Sequence, residues 1–293
     1  MQTPTPLAGP PNSLQWAVCL LLLAALAVGS SAAVAGQTPA PSPPVTPALL
    51  PDAPQPQVAS PAPTPPSGDV TIRSIPRNLL QDQEVIWTSP ARLHPRDLEW
   101  LAPLAAAAGA AFATDHRAMT QLVSRNPDFN QASIDASNAL IGLWLASPIA
   151  VYGVGRLRND AHAREAGILT TEAMLDGAVV EQSIKLIFWR ERPNVDEARG
   201  RFFQASAGPD SSFPSSHSLI AWSAASALAA ESSSRRTQFA LYAGAAGVSL
   251  TRIMGQRHFP SDVLVGSATG WLIGHYVVRR HRQTSLKTRI AHR

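Results

Sequence analysis

Residues 161–193, AHAREAGILTTEAMLDGAVVEQSIKLIFWRERP, decide the fold class of this chain. Ala, Leu and other straight-chain residues dominate the stretch, and these lose little conformational freedom in a helix. Nothing in it alternates with period two among β-branched residues, as a half-buried strand would. The pattern predicts a helix over 161–190, ended at Arg192-Pro193 because the residue before proline avoids the α region. Lys185 and Arg192 are seven residues apart, two helical turns, so they are expected on one face, with Glu181 on the same stripe. Leu186, Ile187, Phe188 and Trp189 between them imply a covered helix, and a covered cation needs an anionic partner. The bland alternative is a solvated face carrying an i,i+4 Glu–Lys pair.

The same composition extends outward from this stretch. Further helices are expected at about 97–113, 118–124, 132–153, 214–231, 236–251 and 260–281. Pro214 and Pro260 each suit the first turn of a helix, where the missing N–H costs nothing. No stretch reads as a sheet, so the expected fold class is all-α, a helical bundle.

Both ends of the chain read differently. Residues 1–35 hold an apolar run from Ala17 to Val28 followed by Ala33-Val34-Ala35, and read as a signal peptide. The run is shorter than the roughly 20 residues a spanning helix needs. Residues 1–13 contain no Lys or Arg, so an uncleaved anchor is the alternative. Residues 36–69 are proline-rich and nearly uncharged, and are expected to form an extended linker. The folded domain is expected over 70–293, long enough for one core. The single cysteine, Cys19, lies in the leader, so no disulfide is expected in the domain. The chain carries a formal charge of +4, and residues 279–293 hold six Lys or Arg and no acid. A solvated or membrane-facing terminus accounts for that tail, and no nucleic-acid partner is expected.

Three segments carry chemistry. In the first, Lys185 and Arg192 are the paired cations already described. The second, Pro214-Ser215-Ser216-His217, opens a helix whose first N–H groups and dipole attract anions. Small residues there let backbone approach a phosphate, and His217 is expected to be poised near neutral pH as a proton donor. The third, Arg252-x5-His258-x3-Asp262, sets a histidine before a proline-started helix. Asp262 is expected to hydrogen-bond that imidazole, fixing its tautomer and activating the other nitrogen. Arg252 adds a permanently charged fork suited to phosphate. Each segment alone also fits an ordinary cap or a solvated face. No His/Cys cluster with metal spacing is present in the sequence, so neither a metal nor another cofactor is expected.

In order and spacing together, these segments resemble the type 2 phosphatidic acid phosphatase superfamily, which includes bacterial acid phosphatases and vanadium-dependent haloperoxidases. The resemblance covers about residues 130–280. Ser216 stands where that pattern has glycine, and Thr251 where it has serine. The resemblance implies a helical bundle of the acid phosphatase/haloperoxidase type. It also implies that His258 attacks phosphorus to give a phosphohistidine, with Asp262 orienting it. His217 would protonate the leaving oxygen and then activate water. Lys185, Arg192, Arg252, Ser215 and the N–H of Ser216 would hold the phosphoryl oxygens. Such a site suits phosphoryl transfer, which needs positioning and charge neutralisation above all.

The expected substrate is a phosphorylated small molecule or lipid: a lipid phosphate, an isoprenyl diphosphate or a soluble ester. Vanadate would serve as cofactor only in the alternative reading as a haloperoxidase. A third reading is a non-catalytic, envelope-tethered phosphate-binding scaffold. The chain is expected to be exported and periplasmic, soluble or peripheral, because its apolar segments are shorter than spans. An integral membrane protein with an outward-facing site is the alternative, supported by the basic residues expected at the opposite end of the bundle.

Overall fold

The computed structural model of the protein describes residues 70–291. The expected leader and proline-rich linker lie outside the described residues, as do the side chains of the basic tail beyond residue 283. The α-helices are α1 (Ile75–Thr88), α2 (Leu98–Arg117), α3 (Pro127–Leu157), α4 (Ala161–Phe188), α5 (Ser216–Glu231), α6 (Arg235–Met254) and α7 (Pro260–Ala291). Among the described residues there is no strand, so the fold class is all-α as the composition implies.

α5 is the central helix and packs against α3, α4, α6 and α7. Most of its residues are Ala or Ser, with Ala221, Ala224, Ala225 and Ala227 fully buried. α7 meets it through Gly266, Gly270 and Gly274. A Cβ on Gly270 would lie 2.2 Å from the Leu219 carbonyl oxygen, and one on Gly274 2.4 Å from that of Ser223. The two backbones therefore touch, which fixes the N-terminus of α7 beside that of α5. Larger side chains fill the flanks: Leu140, Trp144, Met174, Leu228, Leu241 and Val248 on one side, and Leu169, Val180, Ile273 and Val277 on the other.

Several expected boundaries move, each for a local reason. α3 begins at Pro127 because Asn126 caps it, its Oδ1 accepting from the N–H groups of Asp128 and Phe129. The segment 118–124 is no separate helix but a π turn, Ala118–Leu122, that closes α2. α4 stops at Phe188, where Trp189 takes a left-handed conformation with φ 38°. Arg192-Pro193 therefore lies beyond the helix, and Lys185 and Arg192 do not share a helical face. Pro214 precedes α5 rather than sitting in its first turn, since Ser215 is the cap. Pro260 does open α7.

The sequence reading misses α1 altogether. Its fully buried residues are Asn78 and Asp82, on the same face as the partly buried Ile75, Leu79 and Ile86. Polar contacts also hold it. Arg280 of α7 pairs with Asp82, and Asn78 Nδ2 donates to Glu172 Oε2 at 3.0 Å. His281 Nε2 lies 2.8 Å from Glu172 Oε1, and Gln83 Nε2 donates to Asp176 Oδ1 at 2.8 Å. Asp82, Glu172 and Asp176 are all fully buried. Burial pushes the Asp176 carboxyl up to about 8; the Gln83 hydrogen bond opposes this, and the charges of Asp82 and Glu172 reinforce it.

A carboxyl whose folded pKa is raised destabilises the fold once it ionises. That contribution grows as pH rises from the unfolded value, near 3.8, through about 8. Thermal unfolding should therefore show stability falling as pH rises from about 4 to 8 and levelling off above that, by on the order of 1–3 kcal/mol from this group over the upper half of the window. Asp176→Asn keeps the acceptor for Gln83 and never ionises, so its slope should be shallower. Equal slopes in the two proteins would refute the assignment.

Candidate active site

The three segments meet at one end of the bundle. Lys185 comes from the last turn of α4, Arg192 from the loop after it, and Ser215–His217 from the start of α5. Arg252 comes from the last turn of α6, and His258 and Asp262 flank the start of α7. The loop 189–215 folds back on itself. Phe203 N–H donates to the Phe188 carbonyl, and Ser212 N–H to that of Arg190. Phe188, Phe202 and Phe213 pack with Phe112 of α2 beneath it.

His258 is fully buried, and its Nδ1 lies 2.7 Å from the Ser212 carbonyl oxygen. A carbonyl only accepts, so Nδ1 carries the proton and Nε2 keeps its lone pair. Burial, with Arg192, Arg252 and Lys185, holds this imidazole well below its ordinary pKa, so it is neutral at physiological pH. A neutral imidazole with a fixed tautomer is the form a nucleophile requires.

The expected Asp262–His258 hydrogen bond is not made. Asp262 Oδ2 is 3.9 Å from His258 Nδ1, too far for one. The carboxylate acts one step back. Its Oδ2 accepts from Ser212 Oγ at 2.5 Å and from Phe259 N–H at 2.8 Å, while Oδ1 accepts from Arg190 Nη1 at 2.5 Å. Asp262 thus fixes Ser212, whose carbonyl fixes His258. Burial raises its pKa to about 6, against the pull of Arg190, Ser212 and Phe259.

Arg190, Asp115 and Ser212 are the residues that sequence reasoning misses. The Arg190 guanidinium bridges Asp262 and Asp115 (Nη2 to Oδ2, 2.7 Å) and also donates to Ser261 Oγ at 2.7 Å. It sits among Phe112, Phe202 and Phe259, with Cζ 4.1 Å from the Phe259 centroid. Asp115 in turn accepts from the Ser261 N–H and hydroxyl, capping α7. The available signals are weak ones: an acid closing the Ala-rich run of α2, and an arginine directly after the apolar Leu186–Trp189.

The three cations of these segments differ in their pairing. Lys185 Nζ lies 3.1 Å from Glu181 Oε1, and both are buried. Arg192 is held by Asp210 and by the Arg257 carbonyl. Arg252 is 4% exposed, its Nε is buried without a hydrogen-bond partner, and it forms no ion pair among the described residues. Burial and the nearby Arg192 and Arg257 lower its pKa to about 10, so it stays charged.

At the start of α5, Ser216 and His217 are only half-buried, while their neighbours on both sides are buried. This is where the site opens. Ser215 Oγ caps the helix, accepting weakly from Ser218 N–H at 3.5 Å and from its hydroxyl at 3.1 Å. Ser216 Oγ donates to Glu181 Oε1 at 2.6 Å, a bond that glycine could not make. Burial, then Arg252, Lys185, Arg192 and Arg257, depress His217 to about 3. His217 by itself is therefore not poised near neutrality as expected. The groups that depress it are those a phosphoryl dianion would neutralise, so binding of one raises its proton affinity.

The geometry assembles a neutral imidazole of fixed tautomer, a second imidazole and several cations around one helix N-terminus. No curated protein and no solved structure matches the chain. Residues 166–285, which carry every one of the expected site residues, match the PAP2 superfamily. That match supports phosphatase-type activity in general. The match over these residues supports membership of the PAP2 superfamily.

Proposed function

We propose that this chain hydrolyses phosphate monoesters or diphosphates through a phosphohistidine on His258, with no need of a metal ion. The observation that carries this reading is Arg252, a buried guanidinium that forms no ion pair among the described residues. A buried charge is costly unless paired, and a substrate phosphoryl group is the partner this one fits.

In the first step His258 Nε2 forms an N–P bond as the ester P–O bond breaks, and protonated His217 gives its proton to the leaving oxygen. In the second, neutral His217 takes a proton from water. The water oxygen bonds phosphorus as the N–P bond breaks, and inorganic phosphate is released. Lys185, Arg192, Arg252 and the first N–H groups of α5 hold the phosphoryl oxygens throughout.

An apolar groove of about 530 Å³ favours a substrate with an aliphatic tail. It runs along α7 from Pro260 and is lined by Trp100, Leu104, Trp222, Val263, Leu264 and Trp271. The reading places the protein outside the cytoplasmic membrane, soluble or peripheral. α3 is long and apolar enough to cross a membrane, with 28% of its apolar window buried, and Ile149 and Leu157 on it are exposed. Such a face supports membrane association.

Purified protein is expected to release phosphate from p-nitrophenyl phosphate in EDTA. A panel of phosphatidate, isoprenyl diphosphate and soluble esters then ranks the substrates. No release from any of them, or release abolished by EDTA, overturns the proposal.

A further inference from the structure

We propose that Asp210 is an internal competitor for the phosphate site, leaving Arg192 when substrate phosphate binds and returning to it when product departs. The inference rests on the phosphatase reading above and concerns how tightly that site holds its anion.

Asp210 takes one edge of the Arg192 guanidinium as a phosphate would. Nη2 donates to Oδ1 at 2.6 Å and Nε to Oδ2 at 3.1 Å, a bidentate fork. The two partners are held very unequally. The Arg192 side chain is 11% exposed and that of Asp210 76%, so the carboxylate can turn into water while the guanidinium stays in place. Arg192 also keeps its orientation without the carboxylate. Nη1 donates to the Arg257 carbonyl at 2.9 Å, and Nε to the Asp210 carbonyl at 3.1 Å. Asp210 ends the short turn Gly208–Asp210, and Gly208 there has φ +46°, a conformation that glycine tolerates. Burial opposes ionisation of Asp210, but Arg192, Lys185 and Arg257 outweigh it and keep the carboxyl below its ordinary pKa. The group is therefore an anion over the working pH range.

A singly charged, solvent-exposed carboxylate is a weak competitor. A dianionic phosphate that also reaches Arg252 and the α5 N-terminus displaces it. Because the same exchange occurs with product, Asp210 weakens substrate and phosphate binding by one common factor.

The test is steady-state kinetics with p-nitrophenyl phosphate on Asp210→Asn and Asp210→Ala. KM and the inhibition constant of inorganic phosphate should both fall, by about three- to tenfold, with kcat changing less than KM. Inorganic phosphate binding by calorimetry closes the argument: Asp210→Ala should tighten it in the wild-type background and not in Arg192→Ala. Unchanged or weaker phosphate binding in the Asp210 variants, or an equal gain in both backgrounds, overturns the proposal. If the wild type turned over no phosphoester, the phosphatase reading would fail, while calorimetry would still decide the role of Asp210.

Discussion

His258→Ala is expected to lower kcat for phosphoester hydrolysis by on the order of 10³-fold or more while leaving a folded protein. The size of the effect follows from its geometry. The Ser212 carbonyl commits Nδ1 to carrying the proton, which leaves Nε2 as the lone-pair nitrogen. Burial and then three cations keep this ring neutral, and those cations are also the groups expected to hold the phosphoryl oxygens. Alanine keeps the cations and the helix N-terminus, so phosphate should still bind, and calorimetry should find affinity changed far less than kcat. Truncating a buried ring costs stability too, about 1–3 kcal/mol, so melting must be followed alongside. In the wild type, rapid quenching into alkali should trap phosphorus on the protein, and in His258→Ala it should not. A variant that retains more than a tenth of wild-type kcat would remove His258 from the role of nucleophile.

The residues proposed to face the substrate were legible in the sequence, and the residues packed behind them were not. Lys185, Arg192, His217, Arg252 and His258 belong to the three segments, and their spacing announces them because, on the proposed reading, each reaches one small anion. Supporting residues are constrained only by what they happen to touch. Asp115 belongs to α2, and the position that makes it useful beside Arg190 is set by tertiary packing. Ser212 acts through its backbone carbonyl, which any residue carries. The Asp262 spacing was read as a direct imidazole contact, but Ser212 occupies the position between the two side chains. The same distinction holds for the fold. The Ala- and Leu-rich helices were found, most ends to within about five residues, although α7 runs to Ala291, ten residues past its expected end, whereas α1, whose fully buried residues are the polar Asn78 and Asp82, was missed. Local chemistry also moved the end of α4, because the left-handed Trp189 stops it before the proline does.

Arg190→Met should lower the melting temperature by about 10 °C, and should also move the acid limb of the pH–activity profile to higher pH. Arg190 joins two buried carboxylates, Asp115 and Asp262, and all three groups are nearly inaccessible to solvent. Removing one partner of such a network leaves buried charge uncompensated, at a cost of about 3–5 kcal/mol. A domain of this size loses roughly 2–4 °C per kcal/mol. Methionine fills the space among Phe112, Phe202 and Phe259, so the loss reports charge rather than a cavity. Asp262 responds by taking up a proton. Asp262 already titrates near 6 with Arg190 pulling it down, so without Arg190 its pKa rises further. Protonated Asp262 loses acceptor capacity for Ser212 Oγ and Phe259 N–H, and the Ser212 carbonyl that orients His258 is no longer fixed. If activity requires ionised Asp262, it rises with pH through about 6 in the wild type and through a higher value in the variant. A purely structural role for Arg190 would lower stability and leave the limb where it was. Measuring kcat/KM against pH at a temperature where both proteins stay folded separates the two, and a limb at the same pH in both would confine Arg190 to the fold.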